Sequence, residues 1–176
     1  MNNKKNAYLG LFAAVAIIFG YVESLFPFFA GIPGIKLGLA NLAVLFILET
    51  YTWKEAAVVS AVRIVVIGFL FGNMFTIIYS LAGAALSLFV MTLMKKSSGF
   101  SILGISVAGG VSHNIGQLMV AALIVENTSL LYYAPVLLIS GVITGLLIGI
   151  LTKEVTKEFI FKSLPLHCPI FYFCTL

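Results

Sequence analysis

The stretch Gly31–Phe46 reads GIPGIKLGLANLAVLF. From Leu42 onward it is an unbroken apolar run. Its first half is interrupted by Pro33, Gly34 and Gly38, carries Lys36, and leads to Asn41 at the mouth of the run. What such a segment does depends on its solvent, and the rest of the chain settles that. Of 176 residues, 61% are hydrophobic and 9% charged, against about 25% charged in a soluble domain. A chain with so little polar surface belongs in lipid. Its length suits a single compact membrane domain. Cys168 and Cys174 fall near the end and provide neither a disulfide framework nor a metal-ligand spacing.

Working outward, the apolar runs divide into six segments, roughly 7–27, 37–52, 55–72, 74–94, 101–125 and 130–152. The breaks between them are Pro27 with Gly31, Pro33 and Gly34; Tyr51 to Glu55; Gly72 and Asn73; Lys95 to Gly99; and Glu126 to Ser129. Lys4 and Lys5 precede a first run long enough to span, with no polar domain after it, so it reads as a span and not as a cleaved signal. If the segments alternate across the membrane, Lys4, Lys5, Lys54, Lys95, Lys96, Lys153, Lys157 and Lys162 share one side and Lys36 alone faces the other. The positive-inside rule puts the lysine-rich side in the cytoplasm. The expectation is an all-α integral membrane six-helix bundle over residues 1–153, both termini cytoplasmic, with 154–176 as a cytoplasmic tail. The net charge of +4 then faces anionic lipid. Lysines scattered singly and in pairs do not make a nucleic-acid surface.

Small residues recur at helical spacing: Gly141, Gly145 and Gly149 in the sixth segment, and Gly10, Ala14, Ala16 and Gly20 in the first. In lipid such stripes let helices approach closely, either inside the bundle or against another membrane protein. The first segment, with small residues on two adjacent faces, is the candidate docking element through Gly10, Ala14 and Gly20.

Polar residues in the apolar segments mark a candidate site. Arg63 lies in the middle of the third segment, where an ionised group costs about 2.5–3.5 kcal/mol on insertion scales. Its expected partner is Glu23, either in a structural ion pair or as part of a contact for an anionic ligand. The fifth segment carries SHNIGQ, Ser112–Gln117, in which His113 and Gln117 share a face with Gly109 and Gly116. With Asn114 they read as the lining of a polar cavity. No metal is expected, because no second His, Cys or carboxylate lies within helical reach, and no catalytic nucleophile accompanies the histidine. Glu49 and Glu55 are expected to reach the interface or pair with Lys54. The opening stretch then reads as an outward-facing cap or a tight connection: Pro33 shapes a turn, and the new helix N-terminus with Lys36 favours anions. Lys36, Asn41, Arg63, His113, Asn114 and Gln117 are the candidate ligand-binding residues, expected to converge on one cavity.

The motif G-x-K-x-G-x-A-N at Gly34–Asn41, together with SHNIGQ, resembles the Gx transporter family, often labelled heptaprenyl diphosphate synthase component I. That family is related to the substrate-binding S components of energy-coupling factor (ECF) vitamin transporters. The resemblance runs from about Ala7 to Lys153. It implies a six-helix S-component-like protein of a bacterial-type plasma membrane, with a small-molecule pocket near the outer face. It also implies first-helix contacts to a transmembrane coupling subunit that works with ATPases. Some relatives are similar to membrane components of flavin-based electron transfer and quinone metabolism, so the ligand is left open, vitamin-like or prenyl- or flavin-related, and no cofactor is assigned. The alternative role is an accessory membrane subunit in isoprenoid or quinone synthesis or in flavin-linked electron transfer.

Catalysis by the chain itself is not expected. Prenyl diphosphate synthases bind magnesium through Asp-rich motifs, and magnesium takes oxygen ligands. This chain has no Asp, and its six Glu are dispersed. It also lacks the Walker A pattern GxxxxGK[ST], so ATP-driven work needs separate subunits. The closing SLPLHCPIFYFCTL, Ser163–Leu176, is too short to span and is given no site.

Overall fold

The computed structural model describes residues 3–25, 38–97 and 99–163. Among them are six α-helices and one 3-10 helix. They are α1 (Asn3–Leu25), α2 (Leu39–Thr50), α3 (Trp53–Phe71), α4 (Met74–Lys96), α5 (Ile102–Val125), the 3-10 helix (Thr128–Tyr133) and α6 (Ala134–Ser163). Four segments are long and apolar enough to cross a membrane: Lys5–Leu25, Met74–Lys96, Ile102–Val125 and Ser129–Phe159. The chain is a helical, multi-pass membrane protein.

The other two helices depart from an ordinary span, each for a visible reason. α3 has the length but carries Lys54, Glu55 and Arg63. α2 has 12 residues and so rises only about 18 Å, against a hydrocarbon thickness of about 30 Å. It is also buried on every side. Ala43 to Leu48 are six consecutive buried residues, packed with Ala16 of α1, Val59 of α3, Leu88 and Met91 of α4, Ile105 of α5 and Ile148 of α6. α2 is enclosed by its neighbours, packing chiefly against α1, α3 and α6.

Both ends of this short helix are held by charged side chains from other helices. At its start Gly38 adopts φ 73°, a left-handed conformation that glycine takes without strain, and a Cβ there would come 2.9 Å from Ile148 Cδ1. The Leu39 N–H donates to Glu23 Oε1 at 2.7 Å. At its end Lys95 donates to the Leu48 carbonyl and to the Glu49 carbonyl at 3.1 Å. A carboxylate at the N-terminus and an ammonium at the C-terminus both complement the helix dipole.

The acidic residues of the α2–α3 turn pair otherwise than expected. Glu49 lies 3.4 Å from Lys95, and Glu55 lies 2.5 Å from Lys5. Lys54 stands over the Trp53 ring, 5.9 Å from its centroid. Glu55 closes a capping box with Thr52, which turns it away from its chain neighbour Lys54. These ion pairs, with the Tyr8–Phe159 ring contact at 6.4 Å, gather four parts of the chain at one end of the bundle. They are the start of α1, the α2–α3 turn and the ends of α4 and α6.

α5 packs between α4 and α6 through glycines. A Cβ on Gly145 would lie 2.7 Å from Val107 Cα, and one on Gly110 would lie 2.6 Å from the Gly141 carbonyl oxygen. Gly149 meets Leu103 and Ser106 in the same way. The stripe on α6 is therefore internal packing. α6 also continues through residues 153 and 154, where a tail was expected to begin. Lys and Glu are good helix formers, and Lys157 bonds Glu154 at 3.1 Å, so nothing in that segment stops a helix.

Candidate functional site

Arg63 sits on α3 facing α2. Its Nη2 donates to Asn41 Oδ1 at 3.3 Å, and the carboxylate of Glu23 acts on it electrostatically. Its Nε is buried and has no hydrogen-bond partner among the described residues. Three helices thus bring an arginine, an asparagine and a glutamate together at the start of α2. The approach of α1 to α3 is set by Gly20, which is buried and would place a Cβ 3.0 Å from Ile67 Cγ1. Asn41 lies in the first turn of α2, where the Leu39 N–H is taken by Glu23 and the Asn41 N–H by the Gly38 carbonyl at 2.8 Å. Chemically the cluster offers a guanidinium, through its buried Nε, to an acceptor, with a carboxylate already present as counter-charge.

Lys36, the sixth candidate, lies outside the described residues. The remaining three do not join Asn41 and Arg63; the structure distributes them along α5 over two other interfaces. Gln117 faces α4 and donates to Ser80 Oγ at 3.4 Å. His113 is on the same side, with its carbonyl oxygen 2.7 Å and its ring Cε1 3.3 Å from where a Cβ on Gly83 would stand. Asn114 faces α6 and donates to the Leu137 carbonyl at 2.7 Å and to Ser140 Oγ at 3.4 Å. Its amide bonds a carbonyl of the next helix, which ties α5 to α6.

A cleft of about 170 Å³ opens beside it, lined by Asn114, Leu118, Met119, Leu131 and Leu137 among others. Its surface is apolar, and the one amide bordering it is engaged with Leu137. Among the described residues no three His, Cys, Asp or Glu side chains come together.

The proposed docking residues divide as well. Gly10 and Ala14 are exposed on the outside of α1, with nothing within 4 Å of a Cβ at Gly10. Gly20, with Ala16, points into the bundle. The two small-residue faces of α1 therefore serve different ends: one packs on α3 and the core, and the other is open.

The family described as heptaprenyl diphosphate synthase component I matches residues 12–155. The chain belongs to that family. No curated protein and no solved structure matches it. The family match covers every candidate ligand residue and both inward-facing small residues of α1, and it ends within α6. Gly10 and the segment after residue 155 lie beyond it. Sequence reasoning named Glu23 as a counter-charge for Arg63, on which it acts electrostatically, but missed that it also caps α2. The signal was a carboxylate near the end of α1 followed by a Gly-rich approach to α2. Ser80 and Gly83, which receive Gln117 and His113, had no signal beyond being small.

Proposed function

We propose that this chain is a substrate-binding membrane subunit for uptake of a small nutrient, S-component-like, powered by separate coupling and ATPase subunits. The observation that carries the reading is the cluster at the start of α2. A helix ends inside the bundle, and beside it an arginine in an otherwise apolar segment has a buried Nε with no partner among the described residues. A purely structural charge would be expected to use all its donors, because a buried unsatisfied polar atom costs about 1–3 kcal/mol. An anionic or strongly accepting group on a vitamin-like or prenyl- or flavin-related ligand would complete it. Lys36 belongs to the same approach by its place in the chain. The family's description as a synthase component favours a second reading, an accessory membrane subunit to a separate prenyl-transferring enzyme. In either reading the chemistry is done by partners.

The test uses native mass spectrometry of gently purified protein to find a co-purifying molecule, followed by the same measurement on variants. Lys36→Ala is expected to lose that molecule while the melting temperature of the ligand-free protein stays nearly unchanged, and Asn41→Ala to lose it with a lowered melting temperature, because Arg63 Nη2 loses its acceptor. Full retention in both variants would overturn the binding site.

In the orientation that goes with this reading the lysine-rich end is cytoplasmic, both termini with it, and six segments alternate, α2 reaching only part-way. The common end shared by Lys5, Lys54 and Lys95 supports it. Ser129→Cys is expected to react with a membrane-impermeant maleimide on intact cells. Reaction only after permeabilisation would reverse the orientation.

A further inference from the structure

We propose that the α3–α4 turn is submerged in the leaflet opposite the lysine-rich end, where its exposed apolar side chains pack against phospholipid acyl chains and do not reach water. The turn is Gly72–Asn73, and large apolar residues surround it. Phe69, Leu70, Phe71, Met74 and Phe75 are all at least half exposed, Phe69 at 71%. No charged residue occurs from Ile64 to Met94, so this connection has no group that would draw it into the headgroups. The other connections do: Lys36, Lys54, Lys95 with Lys96, and Glu126.

Geometry agrees. From Lys54, at the water boundary, to Phe71 the helix rises about 26 Å, less than the roughly 30 Å of hydrocarbon and less again if tilted. The tip therefore stops short of the far boundary. Several of its polar groups are turned back on the turn itself, which lowers the cost of placing it in lipid. Asn73 Oδ1 accepts from the Thr76 N–H and from Thr76 Oγ1, each at 2.8 Å. The Gly72 N–H donates to the Gly68 carbonyl at 3.1 Å. The patch also continues the outward apolar strips of the two helices, Val58, Val62 and Val65 on α3 and Ile78, Leu81 and Phe89 on α4. Acyl chains are what that continuous surface meets.

The experiment reads depth directly and does not depend on orientation or on transport. Trp53 is the only tryptophan, so Trp53→Phe gives a silent background in which Phe71→Trp or Phe75→Trp reports on the tip. The protein is reconstituted in phosphatidylcholine vesicles, with and without bromine in the middle of the acyl chains. Tyr132→Trp, on the 3-10 helix after Glu126, is the control. The tip reporters are expected to lose more than half their emission to brominated chains and to be barely quenched by iodide, and the control is expected to do the reverse. Iodide quenching of the tip equal to the control would overturn the proposal. So would bromolipid quenching that disappears as the protein-to-lipid ratio rises, since a second copy would then cover the tip. Met74→Cys gives an independent reading if a tryptophan variant does not fold. It should react with an impermeant maleimide many times more slowly in vesicles than in unfolding detergent, and equal rates would sink the idea.

Discussion

Arg63→Ala is expected to lower stability by about 3 kcal/mol, the scale for removing one member of a buried charge pair. The loss should appear as an earlier midpoint in denaturant titration of the protein in bilayer-like micelles. The cause is specific. Asn41 loses its donor, and Glu23 loses the cation that acts on it while still facing the amide of Leu39. The charge left behind keeps the helix end, worth at most about 2 kcal/mol, and loses the guanidinium. Adding Glu23→Gln to Arg63→Ala should therefore recover part of the loss, with a coupling of about 1 kcal/mol or more. Strictly additive losses would show that the two residues do not share a cluster.

Gly110→Ala and Gly145→Ala are expected to be comparably severe, about 2 kcal/mol each, although each adds a single methyl group. The new atom would meet backbone in both cases, the Gly141 carbonyl oxygen at 2.6 Å and Val107 Cα at 2.7 Å. Backbone in a helix cannot step aside as the end of a side chain can. Gly10→Leu and Ala14→Leu make the informative contrast. Both positions are exposed, so the isolated protein should keep its stability. If that face receives a partner helix, association should weaken, because close approach needs small residues. Unchanged co-purification with candidate coupling subunits would remove α1 as a docking element. Unchanged stability in Gly110→Ala would mean that α5 and α6 are not in contact as described.

The number and type of helices were legible because the breaks are chemically plain: the Gly72–Asn73 turn, Lys95 to Gly99, and Glu126 to Ser129. The length and place of α2 were not. The run 37–52 is apolar but for Asn41 and its last residues from Glu49, and the start of the helix is set by a left-handed Gly38 and by Glu23 on another helix. Gly38 shows in the run only as a small residue, and Glu23 leaves no mark there. The tail boundary at 153/154 was placed where charges begin, but charge alone does not end a helix. In the site, the need of Arg63 for a partner was readable from desolvation, and the structure supplies Asn41 beside Glu23. SHNIGQ was expected to converge on the same cavity, and the structure instead divides it between two interfaces. His113 and Gln117, four apart, do share the α4 side, whereas Asn114 is turned about 100° from His113 and meets α6.

The placement of α2 has a consequence for the order in which the chain matures. Helices enter a membrane in sequence, and α2 emerges second, too short to be held by hydrocarbon on its own account. Its first amide is met by Glu23 of the helix made just before it, but its last carbonyls wait for Lys95 at the end of α4. Its buried surface is closed by Met91 of that same helix and then by Ile105 and Ile148, which arrive later still, the last of them in the final helix. A nascent chain stopped after α3 therefore holds α2 with one end unsatisfied and with the side that α6 covers still open. The central element of the finished bundle is the one that settles last, and truncations that spare every residue of α2 should still leave it unprotected from proteolysis.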